Sequence, residues 1–142
     1  MFDEASFKDF AIRYTAAWCS QNATRVASFF AANGSLKIND GAPSIGQAAI
    51  TEAAQGFMTA FPDLRVMLDQ LLVQDARHAV YHWTLTGKNT GPGGIGNFVQ
   101  VSGFERWVIG YDDLIDSSLG HFDAAEYARQ LQGFGSPNCT AS

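Results

Sequence analysis

Ile50-Thr51-Glu52-Ala53-Ala54-Gln55-Gly56-Phe57-Met58-Thr59-Ala60-Phe61-Pro62-Asp63-Leu64 is the stretch on which the fold turns. Up to Phe61 the apolar residues Ile50, Ala54, Phe57 and Phe61 recur at helical spacing. Pro62 has no amide proton and its ring clashes with the preceding turn, so the helix stops there. From Leu64 onward the period falls to two. The runs 64–73, 79–86, 97–109 and 114–122 read as strands, divided by Asp75-Ala76-Arg77, by a glycine-rich segment and by Gly110-Tyr111-Asp112-Asp113. Joints this short predict an antiparallel meander.

Upstream of that switch the pattern is helical. Phe7, Phe10, Tyr14 and Trp18 share one face of a helix spanning Asp3 to about Ser20, and that face must be buried. Asn22 is placed to cap a second short helix with Val26, Phe29 and Phe30 on its apolar side, stopped by Asn33-Gly34. Leu36 and Ile38 alternate as a short strand, residues 39–43 read as a turn, and Ser44 with Gln47 has the capping-box spacing that opens the third helix. Helices followed by a run of strands predict an α+β fold with helices on one face of an antiparallel sheet. Residues 1–132 make a single domain, with a last helical turn or two at 124–131, and 133–142 form a flexible C-terminal tail. Phe7, Tyr14, Trp18, Phe30, Phe57, Phe61 and Trp107 are expected inside.

Composition narrows the function. The chain of 142 residues is 46% hydrophobic and 13% aromatic, which suits a folded domain with much of its aromatic content inside. A net charge of −5 offers no basic surface to a phosphate backbone or an anionic membrane, so neither nucleic acid nor membrane is expected as a partner. Met1-Phe2-Asp3-Glu4 lacks a basic, then apolar, export signal, and no run of 18 apolar residues occurs, so a cytoplasmic location is expected. Cys19 and Cys139 form no disulfide framework; a buried thiol and a tail thiol are expected.

Gly91-Pro92-Gly93-Gly94-Ile95-Gly96 satisfies G-x-G-x-x-G, but a strand pattern follows it where a dinucleotide site needs a helix, so it reads as a hairpin loop. His78 and His82 lie about 13 Å apart along a strand and cannot share an ion. No metal site and no cofactor are expected, and no G-x-S-x-G elbow is present. Asp69, Glu105 and Asp116 stand out because a strand in a two-layer fold has one dry face; each is either solvated or functional. Alternation puts Val80, His82, Thr84 and Thr86 on one side of their strand and Tyr81, Trp83 and Leu85 on the other. Which side is concave stays open, and so does whether His82 is a structural residue or a pocket acid, base or donor.

Three groups of segments carry a resemblance. Arg13-Tyr14-Thr15-Ala16-Ala17-Trp18 runs into Phe29-Phe30-Ala31 and Gly34-Ser35-Leu36; Gly46-Gln47-Ala48-Ala49-Ile50 leads to Phe61-Pro62-Asp63-Leu64. Then come Thr86-Gly87-Lys88-Asn89-Thr90-Gly91-Pro92, Val101-Ser102-Gly103-Phe104-Glu105, Leu114-Ile115-Asp116, Gly120-His121-Phe122-Asp123 and Tyr127-Ala128-Arg129-Gln130-Leu131. In this order, from Arg13 to Leu131, they resemble the SnoaL-like and ketosteroid-isomerase-like family of the nuclear-transport-factor-2-like superfamily. The resemblance implies a cone-shaped curved antiparallel sheet wrapped around three N-terminal helices, with a central apolar pocket.

It also implies roles. Tyr14 matches the tyrosine that hydrogen-bonds a developing oxyanion and Glu105 the acid that partners it. The isomerase base falls on Ile38, with Asn39 and Asp40 beyond, and the late acid-base aspartate of the cyclases falls on Gly120, beside His121 and close to Asp116. The expected function is a pocket for a small apolar molecule, carrying out proton-transfer isomerisation or cyclisation of a polyketide- or steroid-like carbonyl compound; the rival is a non-catalytic ligand-binding or dimerisation module. Tyr14, Glu105, His82, Asp116 and His121 are the candidate catalytic groups. Trp18, Phe30, Ile38, Phe57, Phe61 and Trp107 are the candidate ligand-binding residues. A homodimer through the uncovered sheet face is expected.

Overall fold

The computed structural model describes residues 2–132, so the predicted tail, Cys139 included, lies outside the described residues. Helix α1 (Glu4–Cys19) is capped by Asp3, whose carboxylate accepts from the Ser6 amide at 2.8 Å. Its predicted stripe is its buried face: Phe7, Phe10, Tyr14 and Trp18 pack inward together with Ala11 and Ala17. Each large side chain taken out of water there stabilises the fold by about 1.5–3 kcal/mol.

Helix α2 (Ala23–Ala27) is capped by Asn22 as expected but is shorter than predicted. Phe30 does not continue it. Phe30 opens strand β1 (Phe30–Ile38), and Asn33-Gly34 lies inside that strand instead of stopping a helix. Gly34 is needed for close approach: a Cβ there would stand 2.6 Å from the Ile115 carbonyl oxygen, where the pairing register shifts.

Ser44 does not cap the third helix either. Ser44–Ile45 forms a two-residue strand, β2, antiparallel to β1, and Gly46 at φ +88° makes the corner into α3 (Gln47–Ala60). Gln47 turns back and donates to the Phe30 carbonyl at 2.8 Å.

Strands β3 (Arg65–Val73), β4 (His78–Lys88), β5 (Phe98–Ile109) and β6 (Ile115–Phe122) follow the predicted runs, and α4 (Ala124–Gln132) closes the described chain. The sheet runs β2-β1-β6-β5-β4-β3, curved and unclosed. From β3 to β6 it is the expected antiparallel meander. β1 joins it parallel to β6, which makes the sheet mixed. The segment Gly91 to Gly96 is a loop between β4 and β5.

Helices α1, α2 and α3 cover the concave face with one aromatic core. Six of the seven residues expected inside are buried; Phe57 is only half-buried. Cys19 departs from expectation by being exposed, though its sulfur is held against the Val66 backbone, 3.2 Å from the carbonyl and 3.3 Å from the amide. Among the described residues, no helix is long and apolar enough to cross a membrane.

Candidate functional site

Alternation along β5 sends Glu105, Trp107 and Ile109 to the concave face. Glu105 is opposite Tyr81 on β4 and opposite Gly120 on β6, so its carboxyl group sits in the middle of the sheet with a glycine on one flank. Only 8% of the residue is exposed. Three donors converge on it. Trp107 Nε1 and Ser118 Oγ donate to Oε1 at 3.0 and 2.7 Å, and the Tyr14 hydroxyl lies 3.1 Å from Oε1 and 3.2 Å from Oε2.

The donors are themselves fixed. Tyr81 stacks on the Trp107 indole with centroids 4.8 Å apart and planes 14° apart, while Phe10 and Tyr14 meet the same indole edge-on. The Tyr81 hydroxyl is tied to Thr15 Oγ1 on α1. Each ring holds its neighbour, so the carboxyl environment is set by the packing of α1 on β4 and β5.

Burial raises the Glu105 pKa above the ordinary glutamate value, and the hydrogen bonds from Trp107, Ser118 and Tyr14 pull it back only in part. Tyr14 is pushed well above the usual tyrosine range, by burial first and by the nearby Glu105 charge second. It therefore stays a neutral hydroxyl. Tyr81 is raised in the same direction, again chiefly by burial.

Glu105 forms part of the wall of a cavity with about 60 Å³ of free space, partly open to solvent. Its other walls are apolar: Leu36, Ile38, Val66, Leu85 and Val101, with the rings of Trp18, Phe57, Trp83, Phe122 and Tyr127. The lining, almost wholly apolar with one buried acid, suits a hydrophobic group bearing a single strong polar atom at that depth; the free space is well under the roughly 150 Å³ that admits benzene, so a ring enters only if the walls move apart.

The predicted site residues divide by position. Trp18, Ile38, Phe57 and Glu105 reach the cavity. Tyr14 and Trp107 stand behind Glu105 and touch it, whereas Phe30 and Phe61 belong to the core and do not line the space. His82 and Asp116 are not brought to it. His82 faces the convex side, where its ring lies 5.9 Å from that of Phe104. Asp116 is exposed, with Arg77 3.8 Å away. His121 also lines the cavity, and its ring rests 5.6 Å from that of Phe104. The concave side of β4 is the Tyr81, Trp83 and Leu85 side.

Sequence reasoning did not single out Ser118, Tyr81, Trp83 or Tyr127. For Tyr81 and Trp83 the alternation was visible and only its sense was missing. Ser118 was hidden by a shift of register between Val108 and Ile109, which sends both Ile115 and Ser118 inward three residues apart.

The model of the SnoaL-like polyketide cyclase family matches residues 8–131. The chain belongs to this family. Solved structures share its fold at low identity. TsrD from Streptomyces laurentii is 22% identical with a TM-score of 0.80, covering 94% of this chain and 100% of its own. SalBIII, described as an epoxide hydrolase/cyclase-like enzyme in pyran ring formation in the polyether salinomycin, is 17% identical with a TM-score of 0.76, covering 89% and 97%. A protein with a ketosteroid-isomerase-like fold from Catenulispora acidiphila DSM 44928, solved with trimethylamine, is 16% identical with a TM-score of 0.76, covering 87% and 92%. Comparison with curated proteins finds no match. The SnoaL-like assignment agrees with the curved, unclosed sheet; identities this low extend to the fold alone.

Proposed function

We propose that this SnoaL-like chain takes a small, flat, apolar carbonyl compound into the cavity and that Glu105 moves protons on it, in an isomerisation or a ring closure. The observation that carries this is the asymmetry of the carboxyl group. Oε1 accepts from Trp107 and Ser118, and an indole N–H can only donate, so Oε1 is the acceptor oxygen in either charge state. Oε2 has only the Tyr14 hydroxyl beside it. Burial favours the neutral acid, whose proton then belongs on Oε2.

The chemistry balances with this one group. The acid gives its Oε2 proton to the ligand's carbonyl oxygen as the carboxylate takes a proton from the carbon next to that carbonyl, leaving an enol and a reprotonated Glu105. The transient carboxylate charge is met by the Trp107, Ser118 and Tyr14 donors, which need not reorganise. In isomerisation Glu105 then protonates the far carbon of the conjugated enol and takes back the enol O–H proton as the carbonyl re-forms; in cyclisation the enol carbon attacks a second carbonyl carbon of the same molecule, whose C=O π bond breaks, its oxygen taking the Glu105 proton while the enol O–H proton returns to Glu105. Tyr14 thus acts by positioning and tuning Glu105. His82 and Asp116 have no part in the step.

The test is turnover of β,γ-unsaturated ketones and polyketide-like esters by the parent, Glu105→Gln and Glu105→Ala. Turnover by the parent that falls at least a hundredfold in both variants supports the proposal; equal rates in all three overturn it. The rival, a non-catalytic binding module, is favoured by the placing of His82 and Asp116 outside the cavity, which leaves His121 as the one other candidate base beside it among the described residues. It is supported if Glu105→Gln binds these compounds like the parent and no protein turns them over. We also propose that the convex sheet face, where Phe104 and the half-exposed Leu119 lie, pairs with a second copy.

A further inference from the structure

The cavity beside Glu105 is smaller than a ring compound. Its free space of about 60 Å³ is well under the roughly 150 Å³ that holds benzene, so such a ligand enters only when a wall gives way. Most of the walls are fixed. The strands that carry Leu36, Val66, Leu85 and Phe122 are locked into one sheet, while α1, which carries Trp18, and α3, which carries Phe57, are rooted in the core by wholly buried residues such as Tyr14 and Ile50. The remaining side is α4, which reaches the cavity through Tyr127 and has no buried residue between Ala124 and Gln132.

α4 is held by contacts that water can replace. β6 pairs with β5 only as far as Gly103 opposite Phe122, so Gln100 has no strand beside it on that edge. The Gln130 side chain takes the place of the strand. Its Oε1 accepts from the Gln100 amide at 2.6 Å, and its Nε2 donates to the Gln100 carbonyl at 3.0 Å. This pair is solvent-exposed, where hydrogen bonds contribute little net. Asn97 Nδ2 adds a bond to the Leu131 carbonyl at 3.0 Å. The half-buried Tyr127 ring rests against Phe122 and Phe61, with centroids 5.4 and 6.3 Å apart. The helix carries its own cap, since Asp123 Oδ1 accepts from the Glu126 amide at 3.0 Å, and its own ion pair between Glu126 and Arg129. It can therefore leave the sheet edge intact, turning about the joint at residues 122–123.

We propose that α4 is a lid and that Tyr127 sets the size of ligand the closed cavity admits: a cyclic ketone binds with α4 swung off β5 and Gln130 released from Gln100. This rests on the Glu105 proposal for the class of ligand. The donors to the Glu105 carboxyl group stand on α1, β5 and β6, so opening admits a ring without disturbing them. Binding is weakened by the share of molecules that are closed, so loosening the clamp strengthens it.

The probe is cyclohexanone, a single ring with a ketone and no double bond to move. Amide hydrogen exchange of the nitrogen-15-labelled protein is followed with and without it, and affinities are measured by titration. In the liganded parent the Gln100 amide should exchange about two- to tenfold faster, because it has lost the Gln130 acceptor; a ligand seated in a rigid cavity would slow it or leave it unmoved. Gln130→Ala should bind cyclohexanone about two- to tenfold more tightly than the parent. Tyr127→Ala makes room with α4 in place, so it should bind the ketone without speeding the Gln100 amide. Unchanged or slower Gln100 exchange in the liganded parent, equal or weaker binding by Gln130→Ala, a Gln100 amide freed as much in Tyr127→Ala as in the parent, or no binding at tens of millimolar concentration overturns the inference. A Gln100 amide that stays protected beside ketone turnover that depends on Glu105 sinks the lid and leaves the Glu105 proposal standing. A responsive Gln100 amide beside Glu105 variants that behave like the parent does the reverse.

Discussion

Glu105 and Gly120 face each other across the pair β5 and β6, and a Cβ built on Gly120 would lie 3.7 Å from Glu105 Cγ. The missing side chain is what leaves room beside the carboxyl group. Its nearest backbone neighbour, the Lys37 carbonyl, is 3.4 Å away, an ordinary contact. Gly120→Ala should therefore fold like the parent, whereas Gly120→Val should keep a melting temperature within a few degrees and bind β,γ-unsaturated ketones at least tenfold more weakly. Unchanged affinity in Gly120→Val, measured by calorimetry, would mean that ligands do not approach Glu105 from this flank.

The pH dependence of stability follows from the raised Glu105 pKa. Between the ordinary glutamate value of about 4.3 and the raised native value, the folded protein holds a proton that the unfolded chain has lost. Stability is thus fully present at the acid end of that window and falls as pH rises through the native pKa. Glu105→Gln removes this dependence. Thermal melts of the two proteins from pH 4 upward should show the parent losing ground to Glu105→Gln as pH increases; parallel curves would mean that Glu105 titrates normally.

Tyr14→Phe deletes one of the donors to the carboxyl group without opening a cavity. The fold should lose about 1 kcal/mol for a buried hydrogen bond, and the Glu105 pKa should rise further because the charged form loses a partner. The pH at which turnover of β,γ-unsaturated ketones is half-maximal should move up accordingly. An unmoved profile would detach Tyr14 from the chemistry.

His82→Ala and Asp116→Asn should leave turnover within about twofold of the parent. Their side chains are spent on the convex face and on Arg77. A hundredfold loss in either, with an intact fold by circular dichroism, would require a route for protons that bypasses the cavity.

Sedimentation at tens of micromolar should give twice the monomer mass of 15.4 kDa, and Leu119→Arg on the convex face should return the monomer. A monomeric parent would refute the pairing of sheet faces.

What could be read in advance depended on how local the signal was. The stripe of α1 and the strands after Pro62 were legible because a regular period needs no knowledge of the partner. Phe30 and Ser44 were misplaced because each sits where the chain pairs with a distant strand, and tertiary pairing outweighed the capping and helical signals. Asp116 shares sequence parity with Ser118 and Gly120, so alternation would turn it inward; the bulge beside Ile109 turns it out. Both faces of β4 carry aromatic or β-branched residues, which left its concave side undecided. Glu105 stood out as a carboxylate within a strand run and again by resemblance, while its surroundings came from three separate segments and could not be assembled from spacing.

The parallel pairing of β1 with β6 has a bearing on how the protein is made. Residues 30–38 leave the ribosome early, yet the neighbour they need spans residues 115–122. Until then the helices have no finished sheet to cover, and the aromatic faces of α1 and β1 wait in the open, where chaperones or neighbouring nascent chains can reach them. Ser118 and Gly120 arrive with that last strand. The acid on β5 is therefore enclosed at the end of synthesis, and a chain truncated before β6 would expose its apolar face and aggregate without ever acquiring a site.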